Sequence, residues 1–169
     1  MLALVTVLLT ATVVVAPPAA AAPDIRPRQA FTLTITAPTD AFLGSTVVGG
    51  TLSGQLGTVT VTATGGPGWT ATVSATDFTT GGATAPETIP NNVVRYWSGR
   101  ATATTGPGAF LPGQPTANQA VTLDAPRTAF RRTGSNAASS ASWNPTLVVT
   151  VPGDAVAGLY SGVVTHSIA

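Results

Sequence analysis

One histidine, His166, stands in the closing stretch GLYSGVVTHSIA (158–169). Imidazole can act as a base, ligate a metal or pack with one nitrogen hydrogen-bonded, and each role needs different company. Nucleophilic catalysis needs a serine on a sharp elbow and a carboxylate to orient the ring. The sequence holds no G-x-S-x-G, and no Asp stands in a recognisable triad context. A metal site would need further ligands, yet there is no cysteine and the six acids, Asp24, Asp40, Asp77, Glu87, Asp124 and Asp154, lie scattered singly. The acids also show no close local pair of the kind that most glycoside hydrolases use. An enzyme such as a wall hydrolase stays open only through residues that meet in space. The reading is therefore non-enzymatic, with no catalytic, metal or cofactor residues.

Aromatic and guanidinium groups are the other chemistry available. Trp and Tyr faces stack on the apolar faces of sugars. In VVRYWS (93–98), Tyr96 and Trp97 are adjacent, so on a strand they face opposite sides. One then belongs to a core, and the other, with Arg95 and Arg100 beside it, can form an outward polar-aromatic patch; the alternative reading is that both rings seal the ends of the sandwich. Trp69 shares parity with Val73, and Trp143 with Leu147, which marks both as core plugs. Arg127, Arg131 and Arg132 form a basic cluster in what reads as a Gly/Ser-rich loop, able to touch anionic wall polymers or to be simply solvated. A net charge of +1 provides no footprint for nucleic acid.

The elements that carry these residues read as strands. AFTLTITA puts Phe31, Leu33 and Ile35 on one face and threonines on the other. A weak strand is expected near Ser45–Val48. LGTVTVTAT (56–64) and WTATVSATDF (69–78) alternate again, with Val59, Val61, Ala63 and Trp69, Ala71, Val73, Ala75 inward. The GGPG between them predicts a β-hairpin. Residues 79–91 read as loop, and 98–118 and 126–142 as two long loops around a short strand at 119–125. PTLVVTV (145–151) and LYSGVVTHSI (159–168) predict a closing hairpin, with Tyr160, Val164, His166 and Ile168 on one face. No segment carries a helical period. The expectation is all-β: an antiparallel, Ig-like two-sheet β-sandwich of about seven to nine short strands.

The chain has 169 residues and opens MLALVTVLLTATVVVAPPAAAAP, an apolar run followed by small residues. The run is too short to span a bilayer comfortably and reads as a secretory signal peptide, 1–22. No Lys or Arg precedes it. An exposed lead-in (23–30) and one domain (31–169) follow, with no membrane anchor after cleavage. Without cysteine, no disulfide framework supports the domain, so stability rests on the core and the sheet ladders.

Two pieces of this pattern resemble the WxL domain family. Y-x-x-x-V-T-H-x-I, Tyr160 to Ile168, is similar to that family's distal motif Y-x-x-x-L-T-W-x-L, with His166 in place of Trp and Ile168 in place of Leu. Trp69-Thr70-Ala71 resembles its first W-x-L, with Ala71 in place of Leu. The resemblance implies a secreted Gram-positive surface protein held non-covalently on the cell wall through peptidoglycan, often beside other surface proteins. The binding residues to examine are then Trp69, Tyr160, His166 and Ile168, with Arg95 and Trp97 as the outward patch. The replacements bear on wall affinity more than on fold. A second expectation is a structural or adhesive surface subunit that takes a protein partner by strand addition at a sheet edge, with the terminal strand as the natural edge.

Overall fold

The computed structural model describes residues 30–169; the expected signal peptide and nearly all of the lead-in lie outside them. Among the described residues fourteen strands form, more than the seven to nine expected, because several are only two to five residues long and lie in stretches without a clear apolar period. All are paired antiparallel, with three short 3₁₀ turns between them. One layer is a long bent sheet in two halves. Its first half has the order β1 (Leu33–Thr36), β3 (Val59–Ala63), β12 (Ser139–Trp143), β8 (Ala101–Thr105). Its second half has β10 (Val121–Thr122), β7 (Val94–Trp97), β13 (Thr146–Thr150), β2 (Thr51–Gln55). Three chain runs, 51–63, 94–105 and 139–150, pass from one half to the other through two to three unpaired residues. At the bend Leu56 N–H donates to the Pro145 carbonyl at 2.9 Å.

The second layer has the order β14 (Val164–Ile168), β4 (Gly68–Ala75), β11 (Arg127–Thr133), β9 (Ala109–Pro112). A two-residue ribbon, β5 (Phe78–Thr79) with β6 (Thr88–Ile89), lies within the stretch read as loop. The inward alternation reads true on β3 and β4: Val59, Val61, Ala63, Trp69, Ala71 and Val73 are all buried. Between the layers the aromatics meet. Phe130 of β11 stacks on Trp143 of β12 at 4.9 Å between centroids and 19° between planes. Trp69 lies 6.3 Å from Phe130. Burial of such rings supplies about 2–3 kcal/mol each, plus offset-stacking gains, and so anchors one layer to the other.

The connections between strands depart from expectation. The 56–75 segment is no hairpin: β3 pairs with β1 and β12, while β4 pairs with β11 and β14. GGPG is a corner between layers. Gly68 has φ +155, and a Cβ there would sit 2.6 Å from the Arg132 carbonyl, so the crossing needs glycine. The closing hairpin is also absent, since β13 pairs with β2 and β7 whereas β14 pairs with β4. The weak strand at 45–48 is displaced to β2; Val47 and Val48 are exposed, and Leu52 alternates with Gly54, so β2 offers a single apolar side chain as signal.

The two long loops contain strands. The first holds β8 and β9, the second β11 and β12. In β8, ATATT, alanine against threonine gives alternation almost no hydrophobic amplitude. In β11 a bulge between Thr128 and Phe130 buries Ala129 and Phe130 in succession, and Arg132 points inward, so the period is broken twice.

Candidate functional site

His166 belongs to the interior face of β14. It is half-buried, 5.8 Å from the Tyr96 ring and 6.5 Å from Trp143 between centroids. Trp143 Nε1 donates to Tyr96 Oη at 3.3 Å, and Tyr96 Oη lies 3.2 Å from His166 Nε2. Indole N–H only donates, so Tyr96 Oη accepts from Trp143 and keeps both a lone pair and its own hydrogen for Nε2, the direction of that bond following the imidazole tautomer. Burial pushes the His166 pKa down to about 4, which keeps the ring neutral. Burial also holds the Tyr96 phenol well above its ordinary range.

Among the described residues, Tyr96 is the side chain hydrogen-bonded to His166; no serine or carboxylate completes a nucleophilic set. No group of three or more potential metal ligands occurs among the described residues. His166 also borders a crevice of about 190 Å³ together with Pro38, Asp40, Leu43, Phe78 and Val163. Asp40 there accepts from its neighbour Thr39 Oγ1 at 2.9 Å.

The other motif residues serve the scaffold. Trp69 is 3 % exposed, and its ring reaches Phe110 at 6.4 Å and Phe130. Ile168 is half-buried against the core. Tyr160 Oη lies within hydrogen-bonding reach of the carbonyls of Val156 at 2.8 Å and Pro86 at 3.1 Å, its one hydrogen serving either of them, which ties the approach to β14 to the turn at 85–87.

Arg95 and Trp97 differ from all of these. Tyr96 between them is fully buried, so β7 turns both flanking side chains to the outer face of the bent sheet. Arg95 is exposed and Trp97 half-buried. Register places Trp97 beside Thr146, which is in turn beside Gln55. It places Arg95 between Thr122 and Val148, with Ser53 beyond. Arg95 Nη2 donates to the Ala120 carbonyl at 2.8 Å, and no carboxylate among the described residues pairs with it. The result is a sheet face with one partly open indole and one guanidinium, bordered by Ser53, Gln55 and Thr122, with Thr146 buried beside the indole.

At the β10 end of this face lies a cluster that sequence reasoning missed. Asp124 accepts from Thr122 Oγ1 at 2.8 Å and from Arg127 Nη2 at 2.6 Å, and Arg127 Nε donates to the Thr122 carbonyl at 2.9 Å. The Thr122 hydroxyl, then Arg127, holds the Asp124 carboxyl below its usual range. The spacing T-x-D-x-x-R was the available signal. This pairing also revises the expected basic cluster. Arg127 is neutralised by Asp124, Arg131 is exposed, and Arg132 is only 2 % exposed. Arg132 donates to the Pro107 carbonyl from Nε at 3.1 Å and from Nη2 at 2.7 Å, and to Ala137 at 3.3 Å. Its guanidinium lies 6.0 Å from the Phe110 centroid. It closes one end of the sandwich and forms no patch with the other two.

Comparison with protein-family models and with curated proteins finds no match to this chain.

Proposed function

We propose that this is a secreted, non-enzymatic cell-surface domain that associates non-covalently with the cell wall, and that the outer face carrying Arg95 and Trp97 takes the peptidoglycan glycan. The observation that carries this reading is the division of labour among tryptophans. Trp69 and Trp143 are spent on the core, whereas Trp97 keeps part of its ring on an outer face beside an arginine. A sugar ring laid on the indole gains apolar contact without needing a deep pocket. Arg95, free of a carboxylate partner among the described residues, supplies charge-assisted donors to an anionic or amide group of the wall polymer. Gln55, Thr122 and Ser53 add neutral hydrogen-bonding groups.

On this reading the WxL-like residues Trp69, Tyr160, His166 and Ile168 shape the scaffold that holds the face. The replacement of Trp by His at 166 then alters packing and leaves the binding surface in place. Titration of the labelled protein with soluble peptidoglycan fragments, followed by amide shifts, tests the assignment. Shifts confined to Ser53, Gln55, Arg95, Trp97, Thr122 and Thr146 are expected. Shifts centred on the His166 crevice would refute it.

A further inference from the structure

At one flank β1 and β14 run side by side, each with an edge that no strand covers among the described residues. Among the described residues, β14 pairs only with β4 and β1 only with β3. Residues in an antiparallel pair alternate between bonding their neighbour and pointing away. Ala169 and Thr70 exchange both backbone bonds, at 2.7 and 3.0 Å, and the Val163 carbonyl accepts from Thr76 N–H at 3.0 Å. Val164, His166 and Ile168 therefore turn their N–H and C=O groups to the open flank. On β1 the Thr32 carbonyl accepts from Thr64 N–H at 3.0 Å, so Leu33 and Ile35 turn theirs to the same flank. The side chains of these five residues face the interior yet are only half-buried, in contrast to the buried row on β3.

Apart from β1, an edge of only four residues, the other edges are blunted. β9 ends in Pro112, β10 has two residues, β2 carries Gly54, and β8 offers only alanine and threonine. β14, VTHSI, has five residues with no Pro, Gly or charge, so it lacks the usual devices that keep an edge from pairing. What satisfies a row of alternating N–H and C=O groups is another extended backbone. The segment that best fits is β14 itself. It is apolar where it must face the core, hydroxylated where it must face water, uncharged, and symmetric about His166.

We propose that β14 pairs antiparallel with β14 of a second copy about a two-fold axis at His166, joining the second layers of two molecules into one continuous sheet. Val164 then lies opposite the partner's Ile168, and Thr165 opposite the partner's Ser167. The half-buried apolar row of each copy covers that of the other. This dimer surface lies on the opposite layer from the Arg95–Trp97 face, so it stands or falls independently of wall binding.

Sedimentation velocity over a wide concentration range, on the purified protein and on Ser167→Lys and Val164→Pro, tests the proposal. Both substitutions act at the outer side or open edge of β14 and spare its bonds to β4. The wild type is expected to pass from monomer to dimer with rising concentration, and each variant to raise the dissociation constant at least about tenfold. Amide exchange on the wild type gives a second readout that needs no variant. Val164, His166 and Ile168 gain protection as concentration rises. A monomer at every concentration, a dimer that both variants leave intact, or protection independent of concentration would overturn the proposal.

Discussion

Tyr96 organises the interior at the scale of single residues because its hydroxyl accepts from Trp143 and lies 3.2 Å from His166 Nε2. Burial among these rings favours the neutral imidazole. Folded His166 titrates at about 4, and unfolding returns it toward its ordinary 6.5. Between these values the unfolded chain binds the extra proton, so stability is complete above about pH 6.5, declines as pH falls, and stops declining near pH 4. The span corresponds to a loss of up to about 3 kcal/mol. Glu87 and Asp124, whose pKa values are lowered by hydrogen bonds, lose their contributions only as pH falls below the ordinary carboxylate range, which leaves most of this window to His166. Urea midpoints from pH 7.5 to 4 should fall for the wild type and stay nearly flat for His166→Phe; equal slopes would contradict the assignment. The same scale separates two tryptophans. Trp69→Ala should cost about 4 kcal/mol through cavity formation, and Trp97→Ala about 1 kcal/mol, both measured by denaturant unfolding. Parity in the sequence identified Trp69 and Trp143 as core and His166 as inward. It could not say which of Tyr96 and Trp97 faced out, because either alternation fits VVRYWS. It also could not foresee Tyr96 and Trp143 converging on His166 from three separate strands.

At the scale of elements, the strands with Val or Ile alternating against Thr were legible, and the connections between them were not. A short Gly/Pro link signals a turn, but the same residues serve a hairpin and a corner between layers. What distinguishes them is which strands pair, a long-range property. The corner after β8 makes the point. Gly106 has φ +83, and a Cβ there would collide with the Ala138 carbonyl at the start of β12. Gly106→Ala is expected to cost about 2 kcal/mol in a thermal or denaturant melt, by left-handed strain and displacement of β12. A change within experimental error would mean that the corner is loosely held. Arg132 was illegible for a related reason. A charge in a stretch that reads as loop passes for a solvated one, yet here backbone carbonyls of Pro107 and Ala137 receive Nε and Nη2 of the guanidinium and offset part of the cost of its burial.

For the molecule as a whole, low charge and absent cysteine leave stability to two packed layers, and the bend in the longer layer creates a broad outer face around β7 and β13. All-β architecture followed from periodicity and turn spacing alone. The binding face did not, because Thr122, Ser53, Gln55 and Thr146 come from three strands far apart in sequence and carry no motif. Co-sedimentation with purified, protein-free peptidoglycan tests the central claim most directly. Wild-type protein and Tyr160→Phe are expected to pellet with the wall alike, since Tyr160 only ties scaffold carbonyls. Trp97→Ala and Arg95→Ala, folded by far-UV CD, should each lose about tenfold in affinity, the worth of one good stacking or charge-assisted contact. Wild-type protein that stays in the supernatant at every salt concentration, or binding that survives both substitutions, would contradict the account.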